Sequence, residues 1–268
     1  MFQQLTHDSY PNQSNSQMKA TSSIVRGLLA AASVSSVFSV HAADLTGSIA
    51  LGYNSIYEFR GVDLGSNMVE ASASIATDLN GFGLSATAWY ATVNDNASNP
   101  TPNELDLTLA VTKAWGPVNL SGGYIYYSYF DASGFNTQEL FLGASMDVYA
   151  GITASTTAFA DFDLYTGWYV DFNLSKTCEV SSCLKVVTTV GLGWADDQNL
   201  QLKANGGALD GYQQWYAMVS MPWTPREGLT IAPYVRYVDA DSELVGDISL
   251  LGTGQDHVIC GLKLTLEF

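Results

Sequence analysis

The sequence predicts an all-β fold: a transmembrane, antiparallel, up-and-down β-barrel of twelve strands. Three observations carry this prediction. An N-terminal export signal is followed by no apolar run of the roughly 18 residues that a membrane helix needs. The rest of the chain alternates apolar and polar residues with a period of two, and shows almost none of the 3.6-residue periodicity of helices. The connections alternate between tight turns and longer polar stretches, as they do in a barrel with one turn side and one loop side.

The export signal begins at Met18. Lys19 and Arg26 give a positive start, Gly27 to Val40 an apolar and small-residue stretch, and Val40-His41-Ala42 a small-residue cleavage pattern. Cleavage is expected after Ala42, with residues 1–42 removed and 43–268 forming the barrel. The alternative, a retained N-terminal anchor, is disfavoured because the apolar stretch is short and rich in Ala and Ser. Residues 1–17 are polar, and translation from Met1 or from Met18 is left open.

Residues 43–268 keep eight basic and 25 acidic residues, a formal net charge of −17. Such a surface argues against nucleic acid or an anionic membrane surface as partner. Three cysteines are too few to build a disulfide scaffold. Cys178 and Cys183 flank the short segment CEVSSC, and in an oxidising compartment they are the candidate local disulfide. Cys260 has no evident partner.

Twelve segments alternate, near 46–60, 68–79, 82–93, 104–115, 118–130, 137–148, 152–160, 165–176, 184–195, 212–222, 229–239 and 256–268, the seventh most weakly. In the fourth, Leu105, Leu107, Leu109 and Val111 share one face, with Glu104, Asp106 and Thr108 on the other. In the ninth, Leu184, Val186, Val190, Leu192 and Trp194 oppose Lys185, Thr189, Gly191 and Gly193. The last runs from His257 to a terminal Phe268 without a break in alternation. Asn80-Gly81, Gly116-Pro117, Tyr149 to Gly151 and Trp223 to Gly228 mark tight connections, and Asn-Gly is the strongest short hairpin signal. The connections after the first, third, ninth and eleventh segments read as longer and polar.

A membrane-spanning sheet must close, since an open edge would leave backbone groups unsatisfied in lipid. An even strand count returns both termini to the side of the short turns. The soluble alternatives are a secreted sandwich and a lipocalin-like barrel. Against them stand aromatics near strand ends (Trp89-Tyr90, Trp115, Trp168-Tyr169, Trp194, Trp215-Tyr216, Trp223), placed as interfacial girdles are. The terminal Phe268 is the kind of end that outer-membrane assembly machinery reads. The partners expected are therefore outer-membrane lipid, lipopolysaccharide and the barrel-assembly machinery, in a Gram-negative outer membrane. Self-association is left open.

The first strand contains SIYEFRG, where Glu58 and Arg60 lie between apolar neighbours. Turning Ile49, Leu51, Tyr53, Tyr57 and Phe59 to lipid sends Gly52, Asn54, Glu58 and Arg60 into the lumen. A charge on the lipid side costs a few kcal/mol, whereas inside it can be solvated or paired. With a turn around Val62 to Ser66, Glu70 approaches Glu58, and a Glu58–Arg60–Glu70 cluster near the external mouth is expected. Parity gives the channel-lining candidates as Glu58, Arg60, Glu70, Asp106, Glu139, Asp171, Lys185, Arg236 and Lys263, with Asp78, Glu104, Asp147 and Glu267 on the same face. Charges inside a pore set which ions pass, and a net-acidic lumen favours small polar or cationic solutes. Twelve strands lie between the eight that leave room only for side chains and the sixteen that leave an aqueous channel. The alternative is a barrel plugged by salt bridges, with a structural or surface role.

Ser55, Tyr57, Phe59, Arg60 and Gly61 form Ser-x-Tyr-x-Phe-Arg-Gly, which resembles the first-strand signature of the TorF-like porin family of Gram-negative bacteria. The resemblance implies a porin-like outer-membrane barrel.

Enzymatic chemistry has little support. His257 is the one histidine after residue 42, residue 259 is Ile where a phospholipase-type barrel would need Ser, and there is no G-x-S-x-G. GTGQDH at 252–257 lacks the helix that follows a nucleotide loop. No cofactor or metal is expected. Asp95, Asp131, Asp196, Asp197, Asp210, Asp239, Asp241, Glu243 and Asp247 read as solvated loop carboxylates, and DADSE at 239–243 lacks calcium-loop spacing.

Overall fold

Alternation becomes a closed wall. Consecutive antiparallel hairpins run β1 (Thr46–Phe59), β2 (Val62–Leu79), β3 (Phe82–Thr92), β4 (Glu104–Trp115), β5 (Val118–Tyr129), β6 (Thr137–Tyr149), β7 (Ile152–Asp161), β8 (Gly167–Ser181) and β9 (Leu184–Asp196). Two short strands, β10 (Gln201–Lys203) and β14 (Leu244–Gly246), pair with each other in a separate sheet. The wall continues through β11 (Gly211–Ser220), its extension β12 (Trp223–Arg226), β13 (Leu229–Ala240) and β15 (His257–Glu267). Counting β11 and β12 as one, twelve strands make the barrel, and β15 pairs with both β13 and β1 to close it. The structure, a computed structural model, describes residues 45–93, 103–130, 132–196, 201–203, 210–246 and 256–268. The expected signal peptide (1–42) lies outside the described residues, as do Asp95, Asp131, Asp197, Asp247 and most of the GTGQDH stretch.

Both ends of the barrel chain meet at one rim. Gly47 and Phe268 exchange backbone hydrogen bonds of 2.8 and 2.9 Å, and a side chain on Gly47 would collide with the Phe268 ring. That rim carries the tight turns. At Asn80-Gly81 both residues have positive φ (56° and 74°), the geometry of a two-residue hairpin whose twist matches its strands.

The faces separate as the parity requires. Leu107 and Leu109 are 44% and 60% exposed on the outside of β4, while Glu104 on its inner face is 3% exposed. Val258, Leu262, Leu264 and Leu266 face outward on β15, and His257 and Ile259 are buried inside. Trp115, Trp168, Trp194, Trp215 and Trp223 are exposed, as a girdle requires. A closed wall with an apolar exterior is an outer-membrane-type barrel, because every wall strand finds its partners within the ring.

Three expectations need correction. The turn expected around Val62–Ser66 is β2 itself, and the turn is the dipeptide Arg60-Gly61, with φ of 53° and 90°. The segment containing CEVSSC is not a loop. β8 runs on to Ser181, which places Cys178 in the ladder opposite Val186 and Cys183 in the two-residue turn. Cys178 and Cys183 are therefore free, exposed thiols instead of a disulfide. Trp89, Tyr169 and Tyr216 do not join the girdle: the two tyrosines are buried inside, and the Trp89 indole N–H donates to Glu70 at 2.5 Å.

Candidate functional site

The site is made by the tip of the β1–β2 hairpin. β1 pairs with β15 only as far as Asn54, and β2 pairs with β3 only from Val69 onward. Beyond those points the ladder continues across the hairpin, from Asn54 opposite Met68 to Phe59 opposite Val62. Leu64 is an extra residue in this stretch: Tyr57 opposes Gly65 while Glu58 opposes Asp63. Such a bulge bends its strand and increases its twist. Gly65 (φ 140°) and Asn67 (φ 55°) complete the bend, and the Tyr53 hydroxyl donates to the Asn67 side chain at 2.7 Å.

The bend carries the tip into the barrel. Tyr57 and Phe59, expected on the lipid face, turn inward: Tyr57 is buried against Met68 and Ala91, and the Phe59 ring stands edge-on to Tyr127. Because the tip leaves the wall, both of its faces lie inside the barrel, and Tyr57, Glu58, Phe59 and Arg60 all line lumen cavities. Val62, on the returning strand, is buried among Tyr216, Val238, Ala240 and Ile259. Leaving the wall uncovers backbone groups, and one is met locally, where the Cys260 N–H donates to the Ser55 hydroxyl at 2.9 Å.

At the tip, Arg60 makes a two-pronged contact with Glu139 on β6, at 2.8 and 2.7 Å. Both side chains are almost fully buried, with exposures of 5% and 2%. The Tyr127 hydroxyl donates to the same carboxylate at 2.7 Å. Three rings, Phe59, Phe159 and Tyr169, lie 4.5–4.9 Å from the guanidinium, within cation–π range. Gly193 opposite Asp171 keeps room for the Tyr169 ring, because a Cβ there would collide with it.

Glu58 reaches the other way. Its carboxylate accepts the Gly61 N–H at 2.5 Å, which fixes the turn, and lies 2.8 Å from Arg236 on β13. Arg236 in turn stacks over Tyr216, whose hydroxyl donates to Asp171. The two charges of the SIYEFRG stretch therefore ignore each other and tie the hairpin to opposite parts of the wall.

The expected Glu58–Arg60–Glu70 cluster does not form. Glu70 instead accepts from Trp89 and, at 3.5 Å, from Asn54, whose side-chain oxygen accepts from Tyr234. Asp106 lies on the inner face of β4 beside Glu104, which accepts the Tyr57 hydroxyl at 2.5 Å. Lys185 sits apart from this group, in an exposed pairing with Glu179 at 3.7 Å near the β8–β9 turn. Lys263 is exposed and makes no ion pair among the described residues. Asp78 and Asp147 serve turns at the same rim, accepting from the Gly81 N–H and the Thr153 hydroxyl.

Toward that rim the lining is small. Ser74 and Thr87 hydroxyls meet at 2.9 Å across β2 and β3, and a Cβ on Gly143 would abut the hydroxyls of Ser121 and Thr157. Two cavities flank the hairpin tip, of about 330 and 450 Å³, and Glu58, Phe59 and Arg236 line both. Phe59, expected toward lipid, and Tyr169, expected in the girdle, are two of the rings around Arg60, and the sequence did not single out Phe159 or Tyr127. Tyr127, Phe159 and Tyr169 fall on the inner face by parity, and an aromatic at an inward position was the available signal.

No protein-family model matches the chain, and no curated protein matches it significantly. Solved structures share the fold. The NanC porin superposes with a TM-score of 0.52 at 12% identity, over 82% of this chain and 98% of that one. An outer membrane channel from Pseudomonas putida F1 gives 0.52 at 11%, over 84% and 95%. The translocator domain of the autotransporter NalP from Neisseria meningitidis gives 0.50 at 12%, over 94% and 97%. At such identities the likeness is one of architecture, and barrels of this architecture include porins, channels and a translocator.

Proposed function

We propose that the chain is a porin-like channel of the Gram-negative outer membrane, passing small polar or cationic solutes through a narrow, charged lumen. The observation that carries this reading is the interior. The lumen is lined by hydroxyls and glycines toward the turn rim and by carboxylates, guanidinium groups and aromatic rings around two cavities of about 330 and 450 Å³. Pore-lining charges of this kind select ions. Similarity to porin and channel structures supports the reading at the level of fold, and the first-strand motif supports a place in the TorF-like family. Export by a signal cleaved after Ala42, assembly through Phe268 and contact with lipopolysaccharide belong to the same proposal.

A second reading has an observation of its own. The Arg60–Glu139 pair and the inserted hairpin narrow the lumen, which favours a non-conducting barrel acting through its surface. Residues 43–268, refolded and inserted in a planar bilayer under a salt gradient, separate the two. Discrete, cation-selective conductance steps support the channel. A sealed bilayer with the barrel demonstrably inserted sinks it and leaves the surface role.

A further inference from the structure

The smaller cavity beside the hairpin tip has a lining unlike the rest of the lumen. Its walls are the rings of Tyr57, Phe59, Trp89 and Tyr234, an apolar patch of Ile56, Met68 and Ile259, and the carboxyl groups of Glu58, Glu70 and Asp106. Arg236 is the single cation among the lining residues, and it is ion-paired with Glu58. Glu70 receives only neutral donors, the Trp89 indole and the Asn54 amide. Asp106 shares a side-chain hydrogen bond with Glu104, and no other group reaches its buried Oδ1. Two carboxyl groups thus face a cavity of about 330 Å³ with no cation assigned to them.

We infer that this cavity is a binding site for a small organic cation, an alkylammonium group, during passage through the channel. The inference rests on the channel reading and names a solute class for it. Ring faces attract a cation by their quadrupole, and quaternary ammonium groups are recognised in this way. The volume is at the small end of ligand pockets, roughly 300–1,000 Å³. A bare metal ion fits poorly, because it needs several oxygens drawn together, and no three carboxylate, His or Cys groups among the described residues stand close enough to hold one. The carboxyl groups are spread around the cavity and separated by rings, which suits a bulky charge with an apolar surface. The larger cavity differs: Arg60 and Arg236 face it with Glu58 and Asp171, so acids there have no excess over bases.

The test is calorimetric titration of the refolded barrel in detergent micelles with tetramethylammonium chloride, at constant ionic strength made up with sodium chloride. A saturable heat is expected, with at least tenfold weaker binding in the Glu70→Gln/Asp106→Asn double variant. Neopentyl alcohol, close to it in size but uncharged, is expected not to bind the unaltered protein. That comparison needs no variant to fold. No saturable heat, equal binding of the alcohol, or undiminished binding by a folded double variant would overturn the site. Because the titration needs no conduction, binding by a barrel that seals a bilayer removes the channel and keeps the site. Conductance without binding does the reverse.

Discussion

Arg60 and Glu139 meet through two parallel hydrogen bonds, although 79 residues separate them in the chain. The pair joins the tip of the first hairpin to the inner face of β6. Its two-pronged geometry is the strongest form of side-chain ion pairing, and three rings shield it from water. Arg60 holds a positive φ of 53°, uncommon for a residue with a side chain, at the place where this contact is made.

Arg60→Ala leaves a buried carboxylate without its cation, a change that costs about 3–5 kcal/mol. The cost falls on the hairpin, since residues 55–68 pair with neither β15 nor β3. The wall is expected to stay folded while the tip loosens. Single-channel recording should then show larger steps than the unaltered protein. Steps of unchanged size would mean that the pair does not form the constriction.

Gly193→Ala places a methyl group against the Tyr169 ring, which is itself packed on Arg60. Overpacking of this kind costs about 1–3 kcal/mol, visible as a lower denaturant midpoint. Gly134→Ala, where nothing lies within 4 Å of the added atom, is the matched control and should be near neutral. Equal midpoints for both would contradict the close packing of Tyr169.

The two faces of β4 respond oppositely to charge. Leu109→Arg puts a guanidinium on the outer surface, where Leu109 is exposed, and should destabilise the inserted barrel by about 2–4 kcal/mol near the bilayer midplane. Thr108→Arg points into the lumen and should cost much less. Refolding yield and urea midpoint in liposomes read both, and equal losses would mean the faces are assigned wrongly.

Cys178 and Cys183 are exposed and unbridged. Both should take up a water-soluble maleimide without prior reduction, giving two additions in that peptide by mass. A peptide two hydrogens lighter and unlabelled would restore the disulfide expected from spacing.

Much of the wall was legible beforehand. The strand count, the tight turns and the faces of β4, β9 and β15 follow from period-two alternation, because backbone pleating fixes which way each side chain points. Even the weakest segment, 152–160, forms a strand, β7 (Ile152–Asp161). The inward position of Trp89 was also available from parity, although proximity to a strand end suggested the girdle. The bulge at Leu64 was not legible. It adds one residue to β2 opposite an unbulged β1, and no turn dipeptide announces it.

The sequence by itself determined a closed, membrane-spanning, twelve-stranded wall, because alternation is a local property that every residue carries with it. Only the tertiary structure decided that the first hairpin leaves the wall, and that Glu58 answers Arg236 while Arg60 answers Glu139. Those pairings depend on closure of the ring, which brings strands remote in the chain to face each other across a lumen that the inserted hairpin bridges.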